Sequence, residues 1–232
     1  RFISLGYPVM IEKGFDPEPE RLGWMGHYLL LTGYSDESGT FSTMDSYLGP
    51  NRTETYEHID AFWRHFNRTY LVAYPPDKSD EVAAIIGPDM DDYTMYVRAL
   101  EQAQSETQQN PDDPFGWFNV GTNLVALGNH QNAAAAFDIA RQKGTPWRML
   151  WYQFGPYQAY LAVGGNRLYD VATLADTVIA NNVYSEEAYY YKGLALLAQG
   201  ETRGARAQFS KALDYNSTFE AAREALAQLD AG

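Results

Sequence analysis

A histidine and an aspartate supply the chemistry that the residue types of this chain allow. His27 stands in Gly26-His27-Tyr28-Leu29-Leu30-Leu31-Thr32-Gly33-Tyr34, and Asp45 opens Asp45-Ser46-Tyr47. In acyl-transfer hydrolases an imidazole takes the nucleophile's proton, while a carboxylate on the other ring nitrogen fixes tautomer and orientation. His27 and Asp45 fit base and orienting acid. The nucleophile is the open term, because the 232 residues contain no cysteine. Spacing alone leaves a plainer alternative, in which Gly26-His27 is a strand-start turn and Asp45 a polar strand terminus.

The elements that must position this pair can be read from local pattern. Tyr28 to Tyr34 is apolar and β-prone, and Gly39-Thr40-Phe41-Ser42-Thr43-Met44 alternates like an antiparallel partner across the Ser35–Gly39 turn. A hairpin is predicted. His27 then enters its first strand and Asp45 leaves its second, which brings both to one end of the sheet.

The stretch from Gly26 to Pro50 resembles the C-terminal half of the papain-like, bacteriocin-processing (double-glycine) cysteine peptidases, in their broad peptidase-like branch. The shared pattern is a Gly-His-aromatic strand, a hairpin and an Asp at a strand end. Gly6-Tyr7-Pro8-Val9-Met10-Ile11 is similar to the strand leading to the His, and Asn67 to Tyr74 to the closing strand, so the likeness covers about residues 1–76. It implies that His27 is the general base and Asp45 its orienting carboxylate. It also implies a nucleophilic Cys, and a Gln supporting the oxyanion hole, in a helical half that precedes the His. Neither has a counterpart here, and no signal segment is visible, so the expectation is a fragment that opens mid-domain. These residues alone are not expected to hydrolyse a substrate. An apolar sheet face is expected to be covered by that upstream half or by another copy of the chain.

Composition narrows the alternatives. With 45% hydrophobic and 15% aromatic residues, the chain suits two small domains with real cores. The net charge is −13, and the segments before and after residue 80 are both acidic, which argues against nucleic acid as a partner. The lack of cysteine excludes disulfides and thiolate metal sites but leaves the compartment open. The apolar runs are too short to span a bilayer. No Gly-rich phosphate loop is present, and no cofactor or metal is expected. His58 and His65 share a helix face at metal-ligand spacing, yet beside the Ile59, Phe62 and Trp63 stripe they read as solvated surface residues. Asn51-Arg52-Thr53, Asn67-Arg68-Thr69 and Asn216-Ser217-Thr218 fit a glycosylation pattern at chance frequency.

The proline- and charge-rich Tyr74–Asp80 stretch reads as a boundary between residues 1–80 and 81–232. Beyond it the pattern repeats. Trp117, Val120, Gly121, Leu124, Gly128, Ala133, Phe137 and Ala140 recur as Tyr189, Lys192, Gly193, Leu196, Gly200, Ala205, Phe209 and Ala212, each offset by 72 residues. A middle copy fits with Trp151, Phe154, Gly155 and a Gly164-Gly165-Asn166 turn, its first helix about one turn longer. These features resemble the tetratricopeptide repeat. In that register a half repeat spans 91–110, repeats span 112–145, 146–182 and 183–216, and a capping helix covers 217–230 with Ser217 as its N-cap. Gly121 and Gly193 would leave room for a partner helix, and Phe137 and Phe209 would plug the space between helices.

The expected fold is therefore α+β, a partial papain-like antiparallel sheet domain followed by an all-α tetratricopeptide-repeat solenoid. The expected function is protein or peptide binding by the repeats, attached to a peptidase-like domain without its nucleophile. Candidate groove contacts are Asn119, Asn123, Gln153, Tyr157, Tyr190 and Lys192. The alternative is a non-catalytic repeat scaffold in which the peptidase-like fold is a relic.

Overall fold

Alternation along β1 (Val9–Phe15) buries Val9, Ile11 and Lys13 on one face and leaves Met10 exposed on the other. The computed structural model, which describes residues 1–18 and 21–231, pairs this strand with β2 (Met25–Ser35), and β2 in turn with β3 (Thr40–Asp45). A further strand, β4 (Gly49–Thr55), lies outside β3, although its sequence carried no clear strand pattern. Thr55 caps α1 (Tyr56–Trp63) by accepting the His58 N–H at 3.1 Å, and β5 (Tyr70–Val72) returns beside β1. The result is one five-stranded antiparallel sheet in the order β4-β3-β2-β1-β5.

One face of the sheet builds the core. Val9, Ile11, Leu29, Leu31 and Ile59 are buried together, with Phe41, Trp63 and Val72 packed against them. The other face carries Leu71, Met10, Leu30 and Met44 as one cross-strand row, in which Met10, Met44 and Leu71 are exposed. Between α1 and β5 the chain turns through two consecutive left-handed residues, Asn67 at φ 52° and Arg68 at φ 55°. That conformation costs a non-glycine residue about 1–2 kcal/mol, and polar contacts hold it. The Arg68 guanidinium binds Asp60 and Glu106, each at 2.7 Å, and the Asn67 amide donates to Asn123 Oδ1 at 2.7 Å.

The helices that follow are α2 (Ser79–Ile86), α3 (Asp92–Gln109), α4 (Pro114–Ala126) and α5 (His130–Lys143). The compact unit that contains the sheet runs through Asn123 and includes Ile139–Thr145, well past the boundary read at Tyr74–Asp80. Polar ties explain the extension. Arg64 pairs with Asp113 at 2.8 Å, Arg68 reaches Glu106 on α3, and Asn119 of α4 donates to the Arg64 carbonyl at 2.6 Å.

The second unit comprises residues 124–138 and those from 146 on. It contains α6 (Gly155–Val163), α7 (Arg167–Asn181), α8 (Glu186–Ala198), α9 (Thr202–Tyr215) and α10 (Glu220–Ala231), each packed on the next. Glycine at two of the contacts follows from the lack of space. A Cβ on Gly193 would sit 2.5 Å from Phe209, and one on Gly155 would sit 2.8 Å from Phe137. Fully buried residues recur at matching steps in alternate helices, as Ala133, Phe137 and Ala140 in α5, Val171, Ala175 and Val178 in α7, and Ala205, Phe209 and Ala212 in α9.

The middle copy departs from expectation. Its first helix is not a turn longer: α6 has 9 residues against 13 in α4 and α8, and Trp147–Trp151 forms a separate 3-10 stretch before it. Ala175 stands where the neighbouring copies place phenylalanine, and the fully buried Tyr157 and Tyr160 supply the bulk instead. Ser217 is not the cap of the last helix either. Asn216 accepts the Thr218 N–H in a local turn, which postpones the helix to Glu220.

Candidate functional site

Sheet register brings the two chemistry-bearing residues together. Lys13 lies opposite His27 in the β1–β2 pair, and Asp45 lies opposite Leu29 in the β2–β3 pair. His27 and Leu29 are two residues apart, so all of these side chains project from the buried face. His27 Nε2 approaches Asp45 Oδ2 to 2.8 Å, with the two side chains only 7% and 1% exposed. The approach does not meet full hydrogen-bond geometry at Nε2.

Asp45 is fixed more firmly than the contact with His27 alone would require. Its Oδ1 accepts the backbone N–H groups of Tyr47 and Leu48, each at 2.7 Å. Burial opposes its charge, but the Leu48 N–H, the His27 imidazole and the Tyr47 N–H outweigh burial and hold the carboxyl below its ordinary value. The β3–β4 register shifts between Thr43 and Asp45, and this irregularity lets Asp45 end the strand in a tight turn. Phe15 stacks on the imidazole at 4.5 Å between ring centroids, and Tyr47 meets the edge of Phe15 at 5.3 Å. Among the described residues His27 Nδ1 has no hydrogen-bond partner. A proton directed to Asp45 from Nε2 leaves a lone pair on Nδ1, the arrangement a general base requires.

The sequence reading missed two neighbours of this pair. Lys13 is 3% exposed, with Nζ 5.6 Å from the Phe15 ring centre and 5.5 Å from that of Phe62. Burial lowers its pKa, against an opposing pull from Glu54 and Asp45. A signal did exist, since two-residue alternation from Val9 and Ile11 places Lys13 on the buried face.

His65 corrects an expectation. It was read as solvated beside His58, but it is buried, stacked on Phe115 at 3.5 Å, and its Nδ1 accepts the Trp24 indole N–H at 3.1 Å. Burial first, then Arg64 and Lys13, push its pKa down to about 3. Gly14 makes this possible, because a side-chain carbon there would overlap the imidazole. His58 does stay at the surface, 3.5 Å from Glu54. Among the described residues no group of three or more metal-capable side chains converges.

The six candidate groove residues separate by burial. Asn119, Asn123 and Tyr157, expected as groove contacts off the packing positions, lie in the interior. Asn119 and Asn123 bind Arg64 and Asn67, and Tyr157 stacks on Tyr191 at 4.6 Å. Tyr190 packs against Phe209 and Phe219, and Lys192 pairs with Asp176 at 2.5 Å. Gln153 is partly exposed, with its amide 4.0 Å from the Met149 sulfur. Helical spacing could not separate these residues from packing positions, because the amides of Asn119 and Asn123 find partners and the Tyr157 ring packs on Tyr191 although its hydroxyl has no partner. No helix among the described residues is long and apolar enough to cross a membrane. No known family model matches the sequence, and no curated protein aligns with it significantly.

Proposed function

We propose that the sheet region is the base-bearing half of a papain-like, double-glycine-type cysteine peptidase-like site. We propose too that the helical stack is a tetratricopeptide-repeat module that holds a protein or peptide. The 2.8 Å approach of His27 Nε2 to Asp45 Oδ2 carries the first part. His27 takes the proton of a nucleophile at Nδ1, and Asp45, locked by the turn at Tyr47 and Leu48, holds the ring and stabilises the imidazolium. Any thiol must come from outside these 232 residues, which contain no cysteine. The exposed row of Leu71, Met10 and Met44 is where the upstream half of such a domain, or a second copy, would pack.

The repeat reading is supported by the close packing of Gly193 on Phe209 and Gly155 on Phe137, and by matching buried positions in α5, α7 and α9. Gln153, Tyr190 and Lys192 retain some exposure and remain its candidate contacts. The lack of cysteine favours a second reading, a non-catalytic scaffold in which Asp45 and His27 merely pin a turn. Nitrogen-15 NMR of the His27 ring separates the two. The base reading expects the Nε2–H tautomer with Nδ1 unprotonated, a preference that weakens in Asp45→Asn. A ring protonated at Nδ1, or indifferent to Asp45, leaves only the scaffold.

A further inference from the structure

We propose that Lys13 is a carbonyl-reactive amine, whose Nζ condenses with a small aldehyde or ketone lodged beside the Phe15 and Phe62 rings to form an imine. The inference rests on the reading of the His27–Asp45 pair as a base and adds a nucleophile from this chain.

Lysine is seldom buried, and a buried ammonium is normally paired with an anion. Lys13 breaks that pattern. Among the described residues it has no carboxylate within ion-pair distance and no hydrogen-bond acceptor, although it is 3% exposed. Its cation is supported by two aromatic faces and by the more distant charges of Asp45 on β3 and Glu54 on β4. From the helical side Arg64 and His65 face the same region. Burial outweighs the acids, so the amine gives up its proton more readily than a surface lysine does.

Position supplies the second argument. Lys13 and His27 are direct cross-strand partners on the buried face, which sets their Cβ atoms about 4.5–5.5 Å apart. Both also meet the same Phe15 ring, Nζ at 5.6 Å and the imidazole at 4.5 Å. An amine whose proton is loosened by burial, across the strand pair from an imidazole with an unpartnered nitrogen, is a nucleophile set near a base. In the step, the Nζ lone pair bonds to the carbonyl carbon and a proton from Nζ passes to His27 Nδ1. The imidazolium returns that proton to the carbinolamine oxygen. Water leaves as the C=N bond forms, so the His–Asp pair ends unchanged and no oxidant or reductant enters.

Formaldehyde is the smallest probe, applied to the whole chain with a borane reductant to trap the imine as a methylamine, and read residue by residue by mass spectrometry. Lys78 and Lys211, whose side chains are 46% and 44% exposed, serve as internal standards. The expected result is that Lys13 is modified before either of them in the native chain, and at their rate in urea. Lys13→Arg, which keeps the charge without the nucleophile, should lose that one fast site while circular dichroism stays unchanged. His27→Gln should slow Lys13 by about tenfold or more and leave Lys78 unaffected, in line with general-base assistance. A native Lys13 that reacts no faster than Lys78 and Lys211 overturns the proposal and leaves the base reading untouched. A fast Lys13 indifferent to His27→Gln upholds the amine and places the failure in the base reading.

Discussion

The two compact units of this chain bury different chemistry. The sheet unit encloses Lys13, His27, Thr43, Asp45, His65, Thr107, Asp113, Asn119 and Asn123. In the helical unit Ser185 is the one buried residue of that polar or charged kind among the described residues, and the interior is built from Ala133, Ala136, Phe137, Ala175, Ala195, Ala205 and Phe209. Burying a polar group is costly unless it is satisfied, and burying a charge more so. The stack of small and aromatic side chains bears less of that cost, although the Tyr157 hydroxyl is buried there without a hydrogen-bond partner. The sheet unit bears it at Lys13 and His65, where stability alone would favour apolar residues. That contrast is between an interior of small and aromatic side chains and one that encloses titratable groups.

The largest effect expected from this contrast lies in the helical unit. Phe209 is fully buried against Gly193, so Phe209→Ala should cost about 3–5 kcal/mol through lost transfer energy and the cavity left behind. In a stack bound by nearest-neighbour contacts, hydrogen exchange should rise first in α8, α9 and α10 and least in α6. Gly193→Ala alone should overpack the same contact, yet in the Phe209→Ala background it should cost little or even stabilise, a coupling that a double-mutant cycle measures. α7 already holds alanine at the matching place, in Ala175. Additive losses, or protection lost evenly along the chain, would break the repeat register.

The sheet unit should answer to pH through His65. The His65 pKa stands at about 3, against roughly 6.5 in an unfolded chain. Between these values the unfolded chain binds a proton that the folded one refuses. Stability from this site is therefore complete above the unfolded value and declines as pH falls toward the folded one, by about 1.4 kcal/mol per unit. From pH 6 to pH 4 the loss should be about 2–3 kcal/mol. His65→Phe, which keeps the stack on Phe115, should flatten that part of the curve in urea melts, even though the Trp24 N–H loses its acceptor. An unchanged slope would show that His65 is free to take its proton in the folded state.

Asp45 offers a smaller test of the same region, with the same sign at lower pH. Its carboxyl is held below the ordinary range, so its contribution is complete above about pH 4 and fades as pH falls through the folded value. Asp45→Asn keeps an oxygen for the Tyr47 and Leu48 N–H groups but loses the charge, and should cost about 1–2 kcal/mol at pH 7. Equal stability of the two chains at pH 7 would reduce the His27 contact to coincidence.

These sites were unequally legible in the sequence. The hairpin and the shared end of His27 and Asp45 follow from alternation and from one turn, which are local signals. The Gly193 and Phe209 pair follows from the 72-residue spacing, whereas Phe137 is met by Gly155 of the following copy. What was hidden depends on partners distant in sequence. His65 looks solvated until Gly14, Trp24 and Phe115 are placed around it, and Asn119 and Asn123 look free until Arg64 and Asn67 arrive. β4, Gly49–Thr55, is almost wholly exposed on both faces, so it had no hydrophobic alternation to announce it. Composition marks a linker near residue 80 but not the ion pairs of Arg64 with Asp113 and Arg68 with Glu106 beyond it.

The smallest expected effect bears most directly on why a charge is kept inside the sheet unit. Lys13 is buried with its pKa lowered, so the folded state holds the ammonium less well than the unfolded chain does. At neutral pH the protonated unfolded chain is thereby favoured, and that penalty eases as pH rises from the lowered folded value toward about 10.4. Lys13→Met keeps much of the unbranched stem between Phe15 and Phe62 and removes the charge. It should stabilise the chain at pH 7 by on the order of 1 kcal/mol, with the gain shrinking as pH rises toward about 10.4. A gain in stability joined to loss of the fast formaldehyde site would mean that the lysine is retained for its reactivity at the expense of the fold. Destabilisation at pH 7 would instead make Lys13 part of the scaffold, its charge balanced by Asp45 and Glu54, and the contrast between the two units would then rest on His65 and the His27–Asp45 pair.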